Sequence, residues 1–182
     1  LFIIFANDIG SFVHGGLVNC YADDTMVYCR GKTAQEACTH LQNCLRGVEY
    51  WYHENNLKVN AKKTEIMLLG TRQHLKDINL DNIKIYFGDT QLRIVTNFKY
   101  LGLWMDSNLT WNEHCAKIAK KVGLKLHMMR RLSHILPQST MIQVYKTYLM
   151  PILEYGVTVW GFTSDENIKK ALINLAARIV CH

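Results

Sequence analysis

Two adjacent carboxylates, Asp23 and Asp24, close the tetrapeptide Tyr21-Ala22-Asp23-Asp24, which lies between short apolar runs at residues 17–20 and 25–29. Such a pattern predicts a β-hairpin with the acids at its tip. Apolar strands imply burial on at least one face, and a charged pair at a buried tip is costly unless a cation or a base neutralises it. Mg2+ suits the role, because it takes few carboxylates and keeps coordination positions open for phosphate oxygens. A solvated turn accounts for the same four residues, since Asp is a common turn residue. The remainder of the chain decides between the two.

A second set of candidates is cationic. At about 100° per residue, Lys117, Lys120, Lys121 and Arg131 share one helical face, opposite Ile118, Val122, Leu126 and Met129, while Lys125 and Arg130 lie off that stripe. The stripe is either an ordinary solvated face or a contact for phosphates that ignores base sequence and weakens steeply with salt. Charge is unevenly spread. Residues 1–91 hold nine basic and ten acidic side chains, whereas residues 92–182 hold twelve and five, so the net charge of +6 arises wholly in the second half. A basic half joined to a near-neutral half with an acidic tip suggests a polyanion held by one part and acted on by the other.

Cysteine and histidine point to no further chemistry. Cys20, Cys29, Cys38, Cys44, Cys115 and Cys181 include no C-x-x-C pair, and the eight histidines add no ligand spacing beyond the neighbours His114 and Cys115, so zinc is not expected. Thiols scattered through apolar runs read as small core residues in a reducing compartment.

The elements that must position these residues are of two kinds. Thr33-x-x-Glu36 forms a capping box for a helix whose apolar face is Ala37, Cys38, Leu41, Cys44, Leu45, Val48, Trp51 and Tyr52, ended by Asn55-Asn56. Short strands are expected at residues 57–59 and 65–69 around the polar bend 60–63, a loop at 70–82, a hairpin at 83–95 around Gly88-Asp89-Thr90, and a further apolar strand run at 98–105. Thr110-x-x-Glu113 reads as a second capping box, opening a helix to about Ser133. Pro137 restarts a helix, Pro151 should kink residues 139–155, residues 157–162 are strand or turn, and Ser164 caps a last helix over 165–181. The expected fold class is α+β, with a mixed region at residues 1–107 and a helical region at 108–182.

With 49% hydrophobic and 20% charged residues, 182 residues can build a core of ordinary size. The apolar run 1–6 is too short to span a bilayer and carries no signal-like start, so neither a membrane nor a secreted protein is expected. A chain opening on Leu-Phe-Ile-Ile-Phe reads as cut inside a buried element.

Several blocks in order, Asn7-Asp8-Ile9, Tyr21-Ala22-Asp23-Asp24-Thr25, Trp51 with Asn56-Leu57-Lys58-Val59-Asn60-x-x-Lys63-Thr64, and Phe98-Lys99-Tyr100-Leu101-Gly102, resemble the reverse transcriptase of non-LTR retrotransposons. Tyr145-Lys146-x-x-Leu149-x-Pro151-Ile152-Leu153-Glu154-Tyr155-Gly156 and Trp160-Gly161 resemble the region after the palm in its jockey-like lineages. The resemblance implies a partial polymerase palm of β-hairpins with a packed helix, followed by an all-helical thumb. It implies that Asp23 is the principal ligand and Asp24 a supporting ligand of a two-metal Mg2+ site. The metals would activate a primer hydroxyl and stabilise the leaving pyrophosphate. Lys63 matches a position that places or protonates that pyrophosphate, although a plain turn lysine fits it as well. Phe98, Tyr100, Leu101 and Gly102 resemble a primer-grip hairpin, and the lysine stripe becomes a duplex contact.

Implied partners are an RNA template, a DNA primer, deoxynucleoside triphosphates and the upstream remainder of a retrotransposon polyprotein, working on chromosomal DNA. A further metal-binding Asp and a Gln-Gly-x-x-x-Ser-Pro-like segment of the family do not occur in the chain; both would precede Leu1, as would the fingers. Asp8 resembles a structural position and is no substitute. The chain alone is therefore expected not to polymerise, and the alternative is a non-catalytic relic or domesticated module that only binds nucleic acid.

Overall fold

The computed structural model describes residues 6–162, so the Ser164 cap and the helix expected over 165–181 lie outside the described residues, as do residues 1–5. The chain forms two compact units that divide between Thr96 and Asn97. This division falls ahead of the Ser107-Asn108 boundary read from the sequence, because the hairpin at 97–106 sends Leu103 and Met105 into the core of the helical unit. The two units together mix helices with small sheets, an α+β composition.

The first unit is organised around α1 (Ala34–Glu54). Its start is the capping box expected with its return bond shifted by one residue: Thr33 Oγ1 accepts from the Glu36 N–H at 3.2 Å, and Glu36 Oε2 reaches back to the N–H of Lys32, just before the cap, at 2.7 Å. Its end is Asn55, followed by Asn56 in the left-handed region at φ 52°. Cys44, Val48 and Trp51 face a cluster containing Ala6, Ile9 and Val13. About a quarter turn round the helix, Leu45 joins Ile66, Ile85 and Leu92 in a second cluster. Gly47 lets a 3-10 turn, Ala6–Phe12, come against the helix, since a Cβ there would lie 1.8 Å from the Phe12 carbonyl oxygen.

On the first cluster lies the antiparallel pair β1 (Leu17–Tyr21) and β2 (Asp24–Tyr28), docked through Val18 and Val27 together with Cys29. Cys29 Sγ donates to Cys44 Sγ at 3.3 Å, and burial, then that thiol, push Cys29 up to about 12, so it stays a thiol. Cys20, Cys29, Cys38 and Cys44 are free cysteines. On the second cluster, β3 (Glu65–Ile66) pairs in parallel with a later strand. The strand expected at residues 57–59 does not form, because Leu57 and Lys58 are exposed and find no pairing edge. The expected loop at 70–82 instead contains the short helix α2 (Arg72–Lys76), capped by Thr71 Oγ1 on the His74 N–H, and a 3-10 turn, Leu80–Asn82. The hairpin around Gly88 and Asp89 forms as β4 (Tyr86–Phe87) and β5 (Thr90–Gln91), and β6 (Arg93–Ile94) is the partner of β3. Arg93 and Glu65 make an ion pair across that last pairing.

The second unit begins with the hairpin β7 (Asn97–Tyr100) and β8 (Leu103–Asp106). Next comes α3 (Asn112–Leu132), which buries Cys115, Ile118, Val122, Leu126 and Met129 against Met141, Leu149 and Trp160. Truncating a side chain such as Leu126 to Ala would cost about 2–5 kcal/mol. The second capping box does not form. Asp106 takes its place: its carboxylate accepts from the N–H groups of Asn108, Thr110 and Trp111 and from Thr110 Oγ1, at 2.7–3.1 Å. Thr110 is thus a donor to Asp106, and Trp111 is left at the helix entry with φ 61°.

After α4 (Gln138–Val144) the helix widens into a π turn, Tyr145–Leu149, and continues as α5 (Met150–Glu154) with Pro151 in its first turn. The missing proline N–H is absorbed by this widened turn. Residues 157–162, read as strand or turn, contain the short helix α6 (Val157–Trp160). Among the described residues no helix is long and apolar enough to cross a membrane.

Candidate functional site

The β1–β2 hairpin places Asp23 and Asp24 where the sequence put them. Tyr21 pairs with Asp24 as the last rung, so Ala22 and Asp23 form a two-residue turn. Ala22 has φ 52° in a position that usually falls to Gly, Asn or Asp, a strain of about 1 kcal/mol or more. Both carboxylates are exposed, which corrects the expectation of a desolvated tip. Only Val18 on β1 and Met26, Val27 and Tyr28 on β2 are even partly covered, since the hairpin rests one face on α1 and its end projects beyond it. Neither carboxylate has a hydrogen bond or an ion pair within the described residues. Two unpartnered sets of hard oxygen donors side by side fit part of a Mg2+ ligand set. Among the described residues no group of three or more His, Cys, Asp or Glu could hold a metal ion.

Asp8 is engaged elsewhere, accepting from Trp51 Nε1–H at 2.8 Å. Lys63 ends the 3-10 turn Ala61–Lys63, whose N–H bonds Asn60 O at 2.9 Å, and its exposed ammonium has no partner among the described residues. Its turn belongs to the cluster around Leu45 and Ile66, through Ala61, while the acidic hairpin belongs to the cluster around Trp51. The structure thus attaches Lys63 and the two acids to different flanks of α1.

In the second unit, Leu101 and Gly102 form the β7–β8 turn with φ 45° and 85°, flanked by half-buried Phe98 and Tyr100. This turn is pinned. Tyr155 Oη donates to Leu101 O at 2.5 Å, and a Cβ on Gly102 would lie 3.1 Å from the Tyr155 ring. Tyr155 O in turn accepts from Trp160 Nε1–H at 2.8 Å. Two separated blocks, Phe98–Gly102 and Pro151–Gly161, therefore meet in one structure.

The α3 stripe is less uniform than its spacing suggested. Lys120, Lys121 and Arg131 are exposed, but Lys117 bonds Glu113 at 2.8 Å and lies over the Trp104 ring. Further along the same side, Leu124 is 65% and Met128 54% exposed, so the basic part grades into an apolar part. A groove of about 400 Å³ opens beside the basic part, lined by Lys99, Lys117, Lys121, Trp104, His114 and Tyr155 among others. His114 Nδ1 accepts from the Trp104 N–H at 3.3 Å, its Nε2 has no partner among the described residues, and burial lowers its pKa below the ordinary imidazole value.

Sequence reasoning gave no role to Lys99, Trp104 or Tyr155, and none to Asp106. Lys99 and Tyr155 lay within resembling blocks, and Asp106 two residues before Asn108 carries an Asx-turn signal. The Thr110-x-x-Glu113 pattern masked it.

A family model described as Reverse transcriptase (RNA-dependent DNA polymerase) matches residues 1–105. In Drosophila melanogaster, the RNA-directed DNA polymerase from mobile element jockey is 27% identical over 95% of this chain and 19% of its own length. The probable RNA-directed DNA polymerase from transposon X-element is 22% identical over 99% of the chain and 20% of its own length; that from transposon BS is 28% identical over 90% and 18%. The chain thus spans about a fifth of the length of these relatives. No solved structure gives a significant match. With the Tyr21–Asp24 hairpin inside the matched region, and jockey, X-element and BS polymerases similar along nearly all of the chain, the chain belongs to the reverse transcriptase family.

Proposed function

We propose that this chain is the later palm and the thumb of an RNA-directed DNA polymerase that extends a DNA primer on an RNA template within a longer protein. The observation that carries the reading is the exposed, unpartnered pair Asp23 and Asp24 at a strained two-residue turn inside the family match. Asp23 and Asp24 would hold Mg2+, with at least one more carboxylate from the longer protein. The ions supply a lowered pKa at the primer hydroxyl and charge stabilisation for the departing pyrophosphate. Lys63, solvent-facing and unpaired, is suited to contact that pyrophosphate. The turn of β7–β8, held by Tyr155, would fix the primer end, and Lys120, Lys121 and Arg131 would contact the phosphates of the duplex.

The test has two stages. Reading the source transcript upstream of Leu1 should show one open frame carrying an Asp-bearing strand and the fingers. In the protein that frame encodes, Asp23→Asn should lower Mg2+-dependent extension of a template–primer more than about a hundredfold. Its template–primer affinity should be unchanged, because the change removes a metal ligand and no phosphate contact. Equal loss of affinity and extension would sink the assignment. An interrupted frame would leave a module that only binds nucleic acid.

A further inference from the structure

The groove of the second unit sets Lys121, one of the proposed duplex contacts, beside two groups that duplex contact leaves unused, Lys99 and the Tyr155 ring. Three of its lining side chains, Lys99, Lys117 and Lys121, are cationic, and no carboxylate lines it among the described residues. Lys117 is held by Glu113 and the Trp104 ring, while Lys99 and Lys121 have no ion pair among the described residues. Lys99 pairs across the hairpin with Trp104, which places its ammonium on the same face as the indole. Tyr155, 56% exposed, stands at the rim. Its hydroxyl is tied to Leu101 O and its ring lies on Gly102, so the ring is fixed before any ligand arrives. A fixed aromatic face binds a flat partner with little loss of side-chain freedom.

We propose that this groove takes one unpaired nucleotide of a single strand, its base laid on Tyr155 and its phosphate held between Lys99 and Lys121. The inference rests on the nucleic-acid reading above for the class of polymer and goes beyond it in naming the state of the strand. A volume of about 400 Å³ suits one nucleotide and not a double helix. Stacking on a side chain needs a free base face, which a paired and stacked base does not offer.

The experiment uses the full 182-residue chain and fluorescein-labelled decathymidylate, with an abasic strand of the same length alongside. Tyr155→Leu should weaken decathymidylate binding about tenfold and leave the abasic strand unaffected, whereas Tyr155→Phe, which keeps the ring, should hold the wild-type affinity. Lys99→Ala combined with Lys121→Ala should weaken both strands and reduce the salt slope by about 0.7, one single-strand phosphate contact. Both lysines are surface residues, so this variant reports even if Tyr155→Leu does not fold.

Equal loss for the two strands with Tyr155→Leu, or an unchanged salt slope with the lysine pair, would overturn the proposal. So would thymidine monophosphate binding as tightly as the ten-mer, which would assign the groove to a free nucleotide, or polyglutamate competing as well as the strand. A wild-type chain that binds the single strand in this manner but no template–primer duplex would support the groove and count against the polymerase reading. Duplex binding with no response of the single strand to Tyr155→Leu would do the reverse.

Discussion

The two hairpins that matter most are built alike and finished differently. Both β1–β2 and β7–β8 are antiparallel pairs closed by two residues, with a non-glycine at positive φ in each turn. The first leaves its turn in solvent with two carboxylates that make no hydrogen bond or ion pair within the described residues. The second has its turn bonded to Tyr155 and its far end, Asp106, wrapped by four donors. The acidic tip has no hydrogen bond or ion pair to protein among the described residues, and the second tip is over-determined by such bonds. Acidic residues consequently serve opposite ends in the two hairpins: Asp23 and Asp24 offer oxygen atoms outward, whereas Asp106 spends its oxygens inward on a helix start.

That contrast can be broken most severely at Asp106. Asp106→Ala should destabilise the second unit by about 2 kcal/mol or more, because it removes a helix cap and leaves several donors without their charged acceptor. The first unit should be untouched in the same melt. Asp23→Asn, in an exposed turn, should leave the melting temperature of its unit unshifted; a drop comparable to that of Asp106→Ala would show that the acidic tip is structural after all.

Acid sharpens the same comparison. Burial raises the cost of charging Asp106, but the bonds from Thr110, Trp111 and Asn108 outweigh it and hold its pKa below the ordinary 3.8. The stability it gives is full above that value and is lost as pH falls through the lower folded value. His114, buried and neutral, has its pKa lowered from 6.5, so the unfolded chain binds the extra proton first. Its contribution is full above pH 6.5 and declines as pH falls from there through the folded value. Unit two should therefore lose stability in mild acid before unit one, and His114→Phe should remove that early loss in a series of melts from neutral pH downward.

Smaller effects follow at the turns themselves. Tyr155→Phe deletes one hydrogen bond to the Leu101 carbonyl and should cost about 1 kcal/mol in denaturant unfolding of the second unit. Ala22→Gly should stabilise the first unit by up to about 1 kcal/mol, since glycine accepts the positive φ without strain. An Ala22→Gly variant that lost stability would mean the turn is not strained as described.

How far the sequence disclosed this can be judged from two identical patterns. Thr33-x-x-Glu36 and Thr110-x-x-Glu113 look equally good as helix starts, and one forms while the other does not. Nothing near Thr33 competes for its N–H groups, whereas Asp106 lies at the end of a strand that brings a carboxylate to the same donors. Local pattern reads local bonds; it cannot see a residue delivered by a hairpin.

The same limit explains the acidic tip and the stripe. Two flanking apolar runs located the β1–β2 hairpin, though Tyr21 and Asp24 prove to belong to its strands and not to its turn, and its exposure depends on how far the hairpin overhangs α1. Spacing identified the cations of α3, but the capture of Lys117 by Trp104 depends on where β8 packs. Residues 57–59 failed as a strand because β propensity without a pairing edge builds nothing. Block order, by contrast, reported the family, since it survives every such local error.

The π turn at Tyr145–Leu149 carries one more residue than an α-helical course over the same span would use. The extra residue is taken up inside that turn, so an ordinary α-helical turn with one residue fewer would deliver Tyr155 and Trp160 on nearly the same bearing. Deleting one position between Tyr145 and Leu149 should let such a turn close up and leave Tyr155 within reach of Leu101. An insertion finds no such slack and would swing the following segment by about 100° around the helix axis. This stretch should therefore tolerate the loss of one residue better than the gain of one, which parallel libraries of one-residue deletions and insertions across 145–149, scored for folding, would read directly.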